Sequence, residues 1–441
     1  MAQSNMLQPG APRLGWLHSA NTSTPPVIVL LQDTGSAIEL TLPLGQFGRP
    51  GPYGPWFESL GPARVSNPAG RVPSVLLFED VDGPIALVGC TAKSHRYSLS
   101  TGQGRLRADF AVLGARNEKY AKINGVRASM PILSAWTQLK SVQFDVSYDS
   151  RGRAENALIH LDSLEQIRLD RGVNLGLRPT WATSTDDKAG SFTAHDVVQL
   201  MTASKRPRAW QDHLDPIMAI RELTMLSAWH PFGFTEVRVN RGDDPEKVLS
   251  GDAIGDKWAS VASYRLPEHN SWGKDPRFLF SFPDIGVAGV RRWLRIRKTF
   301  TRTFGPLVSL LDQGNSYAET KLLQSGLAIE ALGHQLLLEK GKVKEGKRNS
   351  ASYWDATEAI LEDTPFKPVQ DPSEWKTRSA VTYRGVKHAD NEKPELLDIL
   401  NAHRENVLMM RFWLASRLGT SRAVLEARLQ LDPLYPPYEL A

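Results

Sequence analysis

Cysteine is the scarcest residue in this sequence, which contains one, Cys90, in the segment PIALVGCTAK. A single cysteine cannot form an internal disulfide and cannot build a cysteine cage around a metal. The ten histidines are scattered along the chain and form no H-E-x-x-H pattern or paired Cys/His set. The sequence therefore predicts no structural metal and no cofactor, and it favours Cys90 as a small buried hydrophobic residue in a strand.

Long apolar runs are missing as well. No segment approaches the roughly 20 consecutive apolar residues that a membrane span needs. The N-terminal segment MAQSNMLQPGAPRLGW has no apolar centre of the kind found in secretion signals. These absences predict a cytoplasmic protein with no membrane partner. The front half also lacks the paired carboxylates of glycosidases and the nucleophile elbow of hydrolases.

The length and composition predict a folded protein of two or three domains, because the chain has 441 residues, 41% hydrophobic and 23% charged. In residues 1–145, short apolar runs such as PVIVLL and PSVLLF are separated by Gly, Pro, Asn and Ser clusters. This pattern predicts a β-rich domain, sandwich-like or a curled sheet, with GRPGPYGPW as a loop. Residues 146–285 mix strands with one helix, predicted at Asp215–Trp229 with Asp215 as N-cap, and continue that sheet or pack on it.

Residues 286–441 change character and are predicted to form a helical bundle. Leu322, Ile329, Leu332 and Leu336 are spaced by seven, three and four residues, which places them on one face of a long helix. A basic loop follows, and the segment from Pro394 to Gly419 is a further long helix. The predicted fold class is therefore α+β, with a β-rich N-terminal module ahead of an all-α C-terminal part.

The helix that contains TYRGVKHAD has the most informative surface. Its start is predicted at Asp371, as N-cap ahead of Pro372. Four residues on it, at relative positions 0, 4, 7 and 11, define a face turned toward the bundle: Trp375, Ser379, Thr382 and Val386. Arg384 and His388 lie away from that face, and at a spacing of four residues they are neighbours on one surface.

An arginine beside a histidine can support cleavage of RNA by its own 2′-hydroxyl. The histidine titrates near neutral pH and can move protons, and the arginine is a fixed cation that can stabilise the phosphorane. Basic residues near a helix C-terminus also offset the helix dipole, and this is the competing interpretation of the pair. Gly385 between them is either tolerated in the helix or leaves bare backbone for a substrate or a second subunit.

Three segments together carry a family resemblance: LLQSGLAIEALGHQLL on an earlier helix, SAVTYRGVKHAD ahead of the last long helix, and the junction FLFSFPDIGVAGVRRWLRI. The first two, separated by a basic loop, resemble the HEPN superfamily of helical-bundle ribonucleases. With the β-rich front half and the junction, the layout is similar to that of ApeA-like anti-phage defence proteins.

The resemblance implies that Arg384 and His388 are a catalytic pair in a HEPN domain that dimerises, so that two pairs line one RNA cleft. It also implies cleavage of tRNA or other cellular RNA, with a phage-derived trigger and the N-terminal module as sensor. The family's motif usually has four to six residues between arginine and histidine, whereas this chain has three. The alternatives are therefore Arg378 as the catalytic arginine, or an inactive HEPN-like module that dimerises and binds nucleic acid.

Further residues are candidates for supporting roles. From Arg291 to Arg348 there are 12 Lys/Arg against 5 Asp/Glu, a net charge of +7 that exceeds the +5 of the whole chain. Rings interleaved with the first arginines suit RNA, but their spacing equally describes a helix that buries one face. The RNA-contact candidates are Arg291, Arg292, Arg295, Lys342, Lys344 and Lys347. The candidates for support of the pair are Arg378, Tyr383, Lys387, Asp390, Glu330 and His334. For Tyr383, a place at the edge of the core is favoured over stacking on a base. For Glu330 and His334, a polar contact within the bundle is favoured over a role at the site.

Overall fold

Short strands with alternating burial form the front of the molecule. Every second residue of the segment Gly102–Ala108 is buried, as expected for a strand with one face on a core. The structure, a computed structural model, describes residues 5–18, 25–49, 51–60, 72–248, 250–268, 276–344 and 351–439. In these ranges the strands are β1 (Arg13–His18), β2 (Val27–Asp33), β3 (Ile38–Leu44), β4 (Val75–Asp80), β5 (Gly83–Val88), β6 (Thr91–Tyr97), β7 (Gly102–Ala108), β8 (Phe110–Leu113), β9 (Lys122–Ser129), β10 (Val142–Tyr148), β11 (Ala154–Leu161), β12 (Ile167–Arg168), β13 (Gly176–Asp186), β14 (Ser191–Ala209), β15 (Glu236–Asn240), β16 (Glu246–Lys247), β17 (Ala253–Gly255) and β18 (Ala259–Ala262).

Within the described ranges, 14 of these strands form one antiparallel sheet. Its order is β12-β13-β14-β9-β15-β18-β8-β5-β4-β1-β2-β3-β7-β6, and the hairpins β10–β11 and β16–β17 stand apart from it. The runs PVIVLL and PSVLLF form β2 and β4 as predicted. The sheet contains strands from residues 1–145 and from residues 146–285, so one sheet joins these two ranges.

Helices dominate from residue 282 onward, which confirms the α+β fold class. In the described ranges the helices are α1 (Ile132–Thr137), α2 (Trp210–Ala228), α3 (Phe282–Thr299), α4 (Thr301–Gln313), α5 (Ala318–Glu339), α6 (Tyr353–Asp363), α7 (Pro372–Lys387), α8 (Leu396–Leu418) and α9 (Arg422–Leu429). The predicted stripe on α5 is confirmed, since Leu322, Ile329, Leu332 and Leu336 are all buried. None of these helices is long and apolar enough to cross a membrane.

The predicted start of α2 at Asp215 is wrong. The helix begins at Trp210, directly after β14, with Ala209 as its N-cap and Pro216 inside the helix. Trp210 fixes this start because its ring stacks on Phe110 at 4.2 Å and its indole N–H donates to the Tyr120 carbonyl at 2.7 Å. A tertiary anchor of this kind leaves no local capping signal in the sequence.

Three smaller expectations also need correction. Cys90 is buried, and burial raises the pKa of its thiol to about 12, but it lies in the turn after β5 and not in a strand. The segment GRPGPYGPW is not all loop, because a 3₁₀ helix begins at Gly54 and Trp56 in it is buried. The last long helix, α8, begins at Leu396, after Pro394.

Two large apolar cores organise the described chain, beside a small cluster of Leu322, Ile399 and Ala402. The smaller of the two cores lies under the strands around β1–β7 and includes Leu31, Leu40 and Phe78. The larger one is continuous from the other end of the sheet through α2 into the bundle, and it includes Trp136, Trp293 and Trp413. Because one core runs through both regions, α7 and α8 are positioned against the same body as the sheet.

Candidate active site

The helix α7 is fixed on α8 by polar contacts as well as by apolar packing. The Asp371 carboxylate caps its first turn by accepting from the backbone N–H of Ser373 at 2.7 Å and of Glu374 at 3.1 Å. In the buried middle, the indole N–H of Trp375 and the hydroxyl of Ser379 both donate to Asn406 Oδ1 of α8, at 3.0 and 2.7 Å. The predicted buried face of α7 is confirmed at Trp375, Ser379 and Thr382, while Val386 is half-buried.

The end of α7 is a defined turn. The backbone N–H of His388 donates to the Arg384 carbonyl at 3.0 Å, which makes His388 the C-cap of the helix, with extended backbone. The same carbonyl accepts from the side-chain amide of Asn391 at 3.2 Å. Arg384 therefore lies in the last full turn and His388 directly follows it, one turn apart along the helix axis.

Gly385 allows the chain to return closely past α7. A Cβ at this position would lie 2.6 Å from Cγ of Pro394 and 2.9 Å from the carbonyl oxygen of Glu392. The sequence offered two interpretations, a merely tolerated glycine or bare backbone for a substrate or second subunit. Both need correction, because the close approach is made by this chain's own segment ahead of α8.

Replacing Gly385 by alanine is expected to destabilise the protein, although alanine is the better helix former by about 1 kcal/mol. The added methyl group overpacks the contact with Pro394, an effect of about 1–3 kcal/mol. A double-mutant cycle with Pro394→Ala, read by urea unfolding, tests this reason, since removing Cγ and Cδ should recover part of the loss. Additive effects of the two substitutions would show that this contact is not the cause.

The Arg384/His388 pair is exposed, and neither side chain has a hydrogen bond, ion pair or ring contact within the described part of the chain. The other basic side chains of α7 are all engaged. Their partners are Glu358 for Lys376, Glu405 for Arg378 and Glu330 for Lys387. Among the cations of this helix, only Arg384 is held by no described carboxylate, so its guanidinium is available to an anion from outside.

Arg378 has a structural partner. It donates to both carboxylate oxygens of Glu405 on α8, at 2.8 and 3.1 Å. Burial raises the pKa of Glu405, and the hydrogen bond from Arg378 opposes that rise. A guanidinium committed to a largely buried carboxylate is less available to a phosphate than that of Arg384.

Glu330 faces α7 and not His334. Its carboxylate accepts from the Tyr383 hydroxyl at 3.3 Å and from the Lys387 ammonium at 3.4 Å. Tyr383 is buried, with its ring stacked on Tyr353 at a centroid distance of 4.9 Å, so its ring faces are not available to a base. The structure thus brings together three of the supporting candidates as a contact between α5 and α7.

The two remaining supporting candidates are exposed. His334 on α5 and Asp390 in the turn after α7 have no side-chain partner in the described residues. Asp390 therefore makes no hydrogen bond to His388 in this structure, and His334 makes none to Glu330. The expected Glu330–His334 contact is not formed, because Glu330 is directed across to α7.

The basic residues of the segment that begins at Arg291 lie in different environments. Arg291 donates to the Leu169 carbonyl at 2.8 Å, Arg292 is half-buried with its guanidinium against Gly419, and Arg295 is exposed. The neighbouring rings Trp293, Phe300 and Phe304 are buried, so they pack in the core and do not offer platforms for bases. They do not lie on one helix, since Trp293 is in α3, Phe304 is in α4 and Phe300 lies between the two helices.

The lysines of the basic loop differ in the same way. Lys342 pairs with Glu362 at 3.3 Å, and Lys344 is exposed without a described partner. Lys347 lies outside the residues that the structure describes. The ranges that are described contain no group of three or more His, Cys, Asp or Glu side chains arranged to hold a metal ion.

Residues 15–295 match the family model for ApeA N-terminal domain 1, which covers well over half of the chain. The chain belongs to this family. The matched range contains the 14-stranded sheet except for the start of β1, together with α1, α2 and most of α3. Neither the curated proteins nor the solved structures gave a match. The Arg384/His388 pair lies outside the matched range, in the helices that follow the ApeA domain.

Three residues that position the pair were not singled out from the sequence. Asn406 joins α7 to α8, Pro394 packs on Gly385, and Gly326 admits the Tyr383 ring, which would lie 2.3 Å from an added Cβ. An asparagine among apolar residues of α8 and a glycine inside α5 were available as signals. Their partners could not be read from the sequence, because each contact joins α7 to a different segment of the chain.

Proposed function

We propose that this protein is a metal-independent endoribonuclease of the HEPN type that cleaves tRNA or other cellular RNA in anti-phage defence. The observation that carries the proposal is that Arg384 and His388 are exposed, one helical turn apart and without a side-chain partner among the described residues, at the end of a helix whose other cations are all held by carboxylates. Membership in the ApeA family supports the defence role. The N-terminal module then acts as sensor or regulator of the helical part.

The chemistry follows from the two side chains. His388 takes the proton from a 2′-hydroxyl, whose oxygen forms a new bond to the adjacent phosphorus. The bond from phosphorus to the 5′ oxygen breaks, and that oxygen takes a proton from the imidazolium of His388, which returns to its neutral form. Arg384 stabilises the additional negative charge on the phosphorane between these events. The products are a 2′,3′-cyclic phosphate and a 5′-hydroxyl, with no outside oxidant or nucleophile required.

A single Arg384/His388 pair is a small site for an RNA strand. In this proposal a homodimer or higher homo-oligomer forms through the helical part, and two pairs then line one cleft. The exposed side chains Arg295 and Lys344 are the candidates for additional phosphate contacts. A phage-derived component is the proposed trigger for the N-terminal module.

Replacing His388 by alanine is expected to slow RNA cleavage at least about 100-fold, because general acid–base catalysis contributes about 10²–10⁴-fold. Wild-type protein and variants are incubated with total tRNA in EDTA, alone and with extract of phage-infected cells. Product 3′ ends should resist phosphatase until they are treated with acid. His195→Ala removes an exposed histidine of β14 and serves as the control with unchanged cleavage. Cleavage by His388→Ala at the wild-type rate would rule out this site.

The second candidate function is an inactive HEPN-like module that dimerises and binds nucleic acid. Two observations favour it: the three-residue spacing of the pair, and the position of His388 beyond the last helical residue of α7. It predicts RNA binding that weakens steeply with salt and yields no product, even with infected-cell extract. The same incubations therefore distinguish the two functions.

A further inference from the structure

A cavity of about 440 Å³ lies where the two regions of the chain meet. Its walls come from the end of α2, the end of α4, the start of α5, the middle of α8 and the segment after α9. Among the described residues that line it, three have basic side chains: Lys321, His403 and Arg404. It is separate from the exposed surface that presents the Arg384/His388 pair.

His403 is an unusual component of the wall because it is buried and incompletely bonded. Its side chain is 7% exposed, and Nδ1 has no hydrogen-bond partner in the described ranges. Burial, together with the positive charges of Lys321 and Arg404, lowers the pKa of this imidazole to about 4. The site is therefore electrically positive, and it contains a neutral imidazole whose nitrogen is left unsatisfied.

Arg404 holds one wall of the cavity and still has unused bonding capacity. It donates to the Pro436 carbonyl at 2.9 Å and lies 4.1 Å from the centroid of the Tyr438 ring. Asn401 secures the same segment through two hydrogen bonds with the Tyr438 backbone, at 2.9 and 2.8 Å. The Nε of Arg404 is buried without a described partner. The segment that contains Pro436 and Tyr438 is therefore held in place as one wall of the cavity, beside the guanidinium of Arg404.

The other residues that line the cavity determine which kind of ligand it can bind. The ammonium group of Lys321 has no partner within the described part of the chain, and no aspartate or glutamate is among the described residues that line the cavity. Much of the rest of the wall is apolar and includes Trp229, Leu311 and Leu434. The volume is within the range of roughly 300–1,000 Å³ that small-molecule sites occupy. An anionic group would meet two cations, and an apolar body would meet the other side chains.

We propose that this cavity binds a small organic anion, an apolar ring system that carries a carboxylate or a similar anionic group. The anionic group pairs with the ammonium of Lys321 beside the guanidinium of Arg404, and the ring packs against Trp229 and Leu311. The binding is independent of any RNA cleavage by the protein.

The probe for this proposal is 2-naphthoate, with 2-naphthamide as its uncharged equivalent. Titration calorimetry on the full chain is expected to show one naphthoate per chain, with the amide at least about tenfold weaker. Lys321→Met should weaken naphthoate about tenfold, while Lys298→Met, which removes an exposed lysine outside the cavity, should leave the affinity unchanged. Leu400→Trp fills the cavity with all charges retained and should abolish binding.

Three outcomes would overturn the proposal. These are no binding of naphthoate at millimolar concentration, equal affinity for the acid and the amide, and equal affinities of the Lys321→Met and Lys298→Met variants. Naphthoate binding that survives Leu400→Trp would place the ligand elsewhere and would also overturn it. Thermal unfolding of each variant is measured beside the titrations, so that a folding defect is recognised as such.

Discussion

Arg384→Ala is expected to reduce RNA cleavage about 100- to 1000-fold, the usual effect of removing one group that stabilises charge in the transition state. The folded state should be unaffected, within about 0.5 kcal/mol, because the side chain is exposed and no described residue bonds to it. Single-turnover cleavage and urea unfolding of the same preparation give both quantities. Arg384→Lys keeps the charge but loses the planar donor fork and should recover only part of the rate.

Arg378→Ala is the matched substitution on the same helix, and it should give the opposite pattern. It leaves the largely buried Glu405 carboxylate without its partner, so the protein should lose stability, by about 1–3 kcal/mol. The cleavage rate of the remaining folded protein should stay near that of the wild type. A large loss of rate in Arg378→Ala with a normal rate in Arg384→Ala would make Arg378 the catalytic arginine.

The stability loss in Arg378→Ala should also depend on pH. Burial already raises the pKa of Glu405 above its ordinary value of 4.5, and loss of Arg378 removes the group that opposes this rise. A carboxyl whose pKa is raised on folding costs stability as the pH rises from its unfolded pKa through its folded pKa. The difference from wild type should therefore be larger at neutral pH than near pH 4.5, where the protonated form needs no cation.

Local pattern was sufficient for much of the structure. The stripe on α5, the cap at Asp371 and the buried face of α7 depend on the period of a helix and on its end groups, which the sequence shows directly. The runs that became β2 and β4 were identified for the same reason. The exposure of Arg384 and His388 follows from that geometry as well.

The features that could not be predicted from the sequence depend on contacts between elements that are far apart along the chain. The sheet order places β9 between β14 and β15, a pairing between residues far apart in the chain. The start of α2 is decided by Trp210 against Phe110, and the role of Gly385 by Pro394. Four cations on α7 look alike in the sequence, and only the positions of Glu358, Glu405 and Glu330 separate Arg384 from the rest.

A buried arginine contributes to the contact between the ApeA domain and the helices behind it. Arg411 of α8 donates from Nε to the Leu226 carbonyl at 2.6 Å and from Nη2 to the Ser227 carbonyl at 2.8 Å, both in the last turn of α2. The carbonyls at a helix C-terminus lack partners within the helix, and a cation there also offsets the dipole. Asp432 neutralises the guanidinium, accepting from Nη1 with both oxygens at 2.8 Å.

Arg411→Met is expected to lower the free energy of unfolding by about 3–5 kcal/mol, because it leaves the buried Asp432 carboxylate without its cation and removes the donor to the Leu226 carbonyl of α2. Arg417→Met on the same helix removes a partly exposed pair with Asp363 and should cost less than about 1 kcal/mol. The double variant Arg411→Met/Asp432→Leu should recover part of the loss, since the isolated charge is then gone. Urea unfolding of the wild type and of the three variants measures these changes in stability. Equal losses in Arg411→Met and Arg417→Met would show that Arg411 does not help to join the sheet-bearing domain to α8, the helix that supports α7.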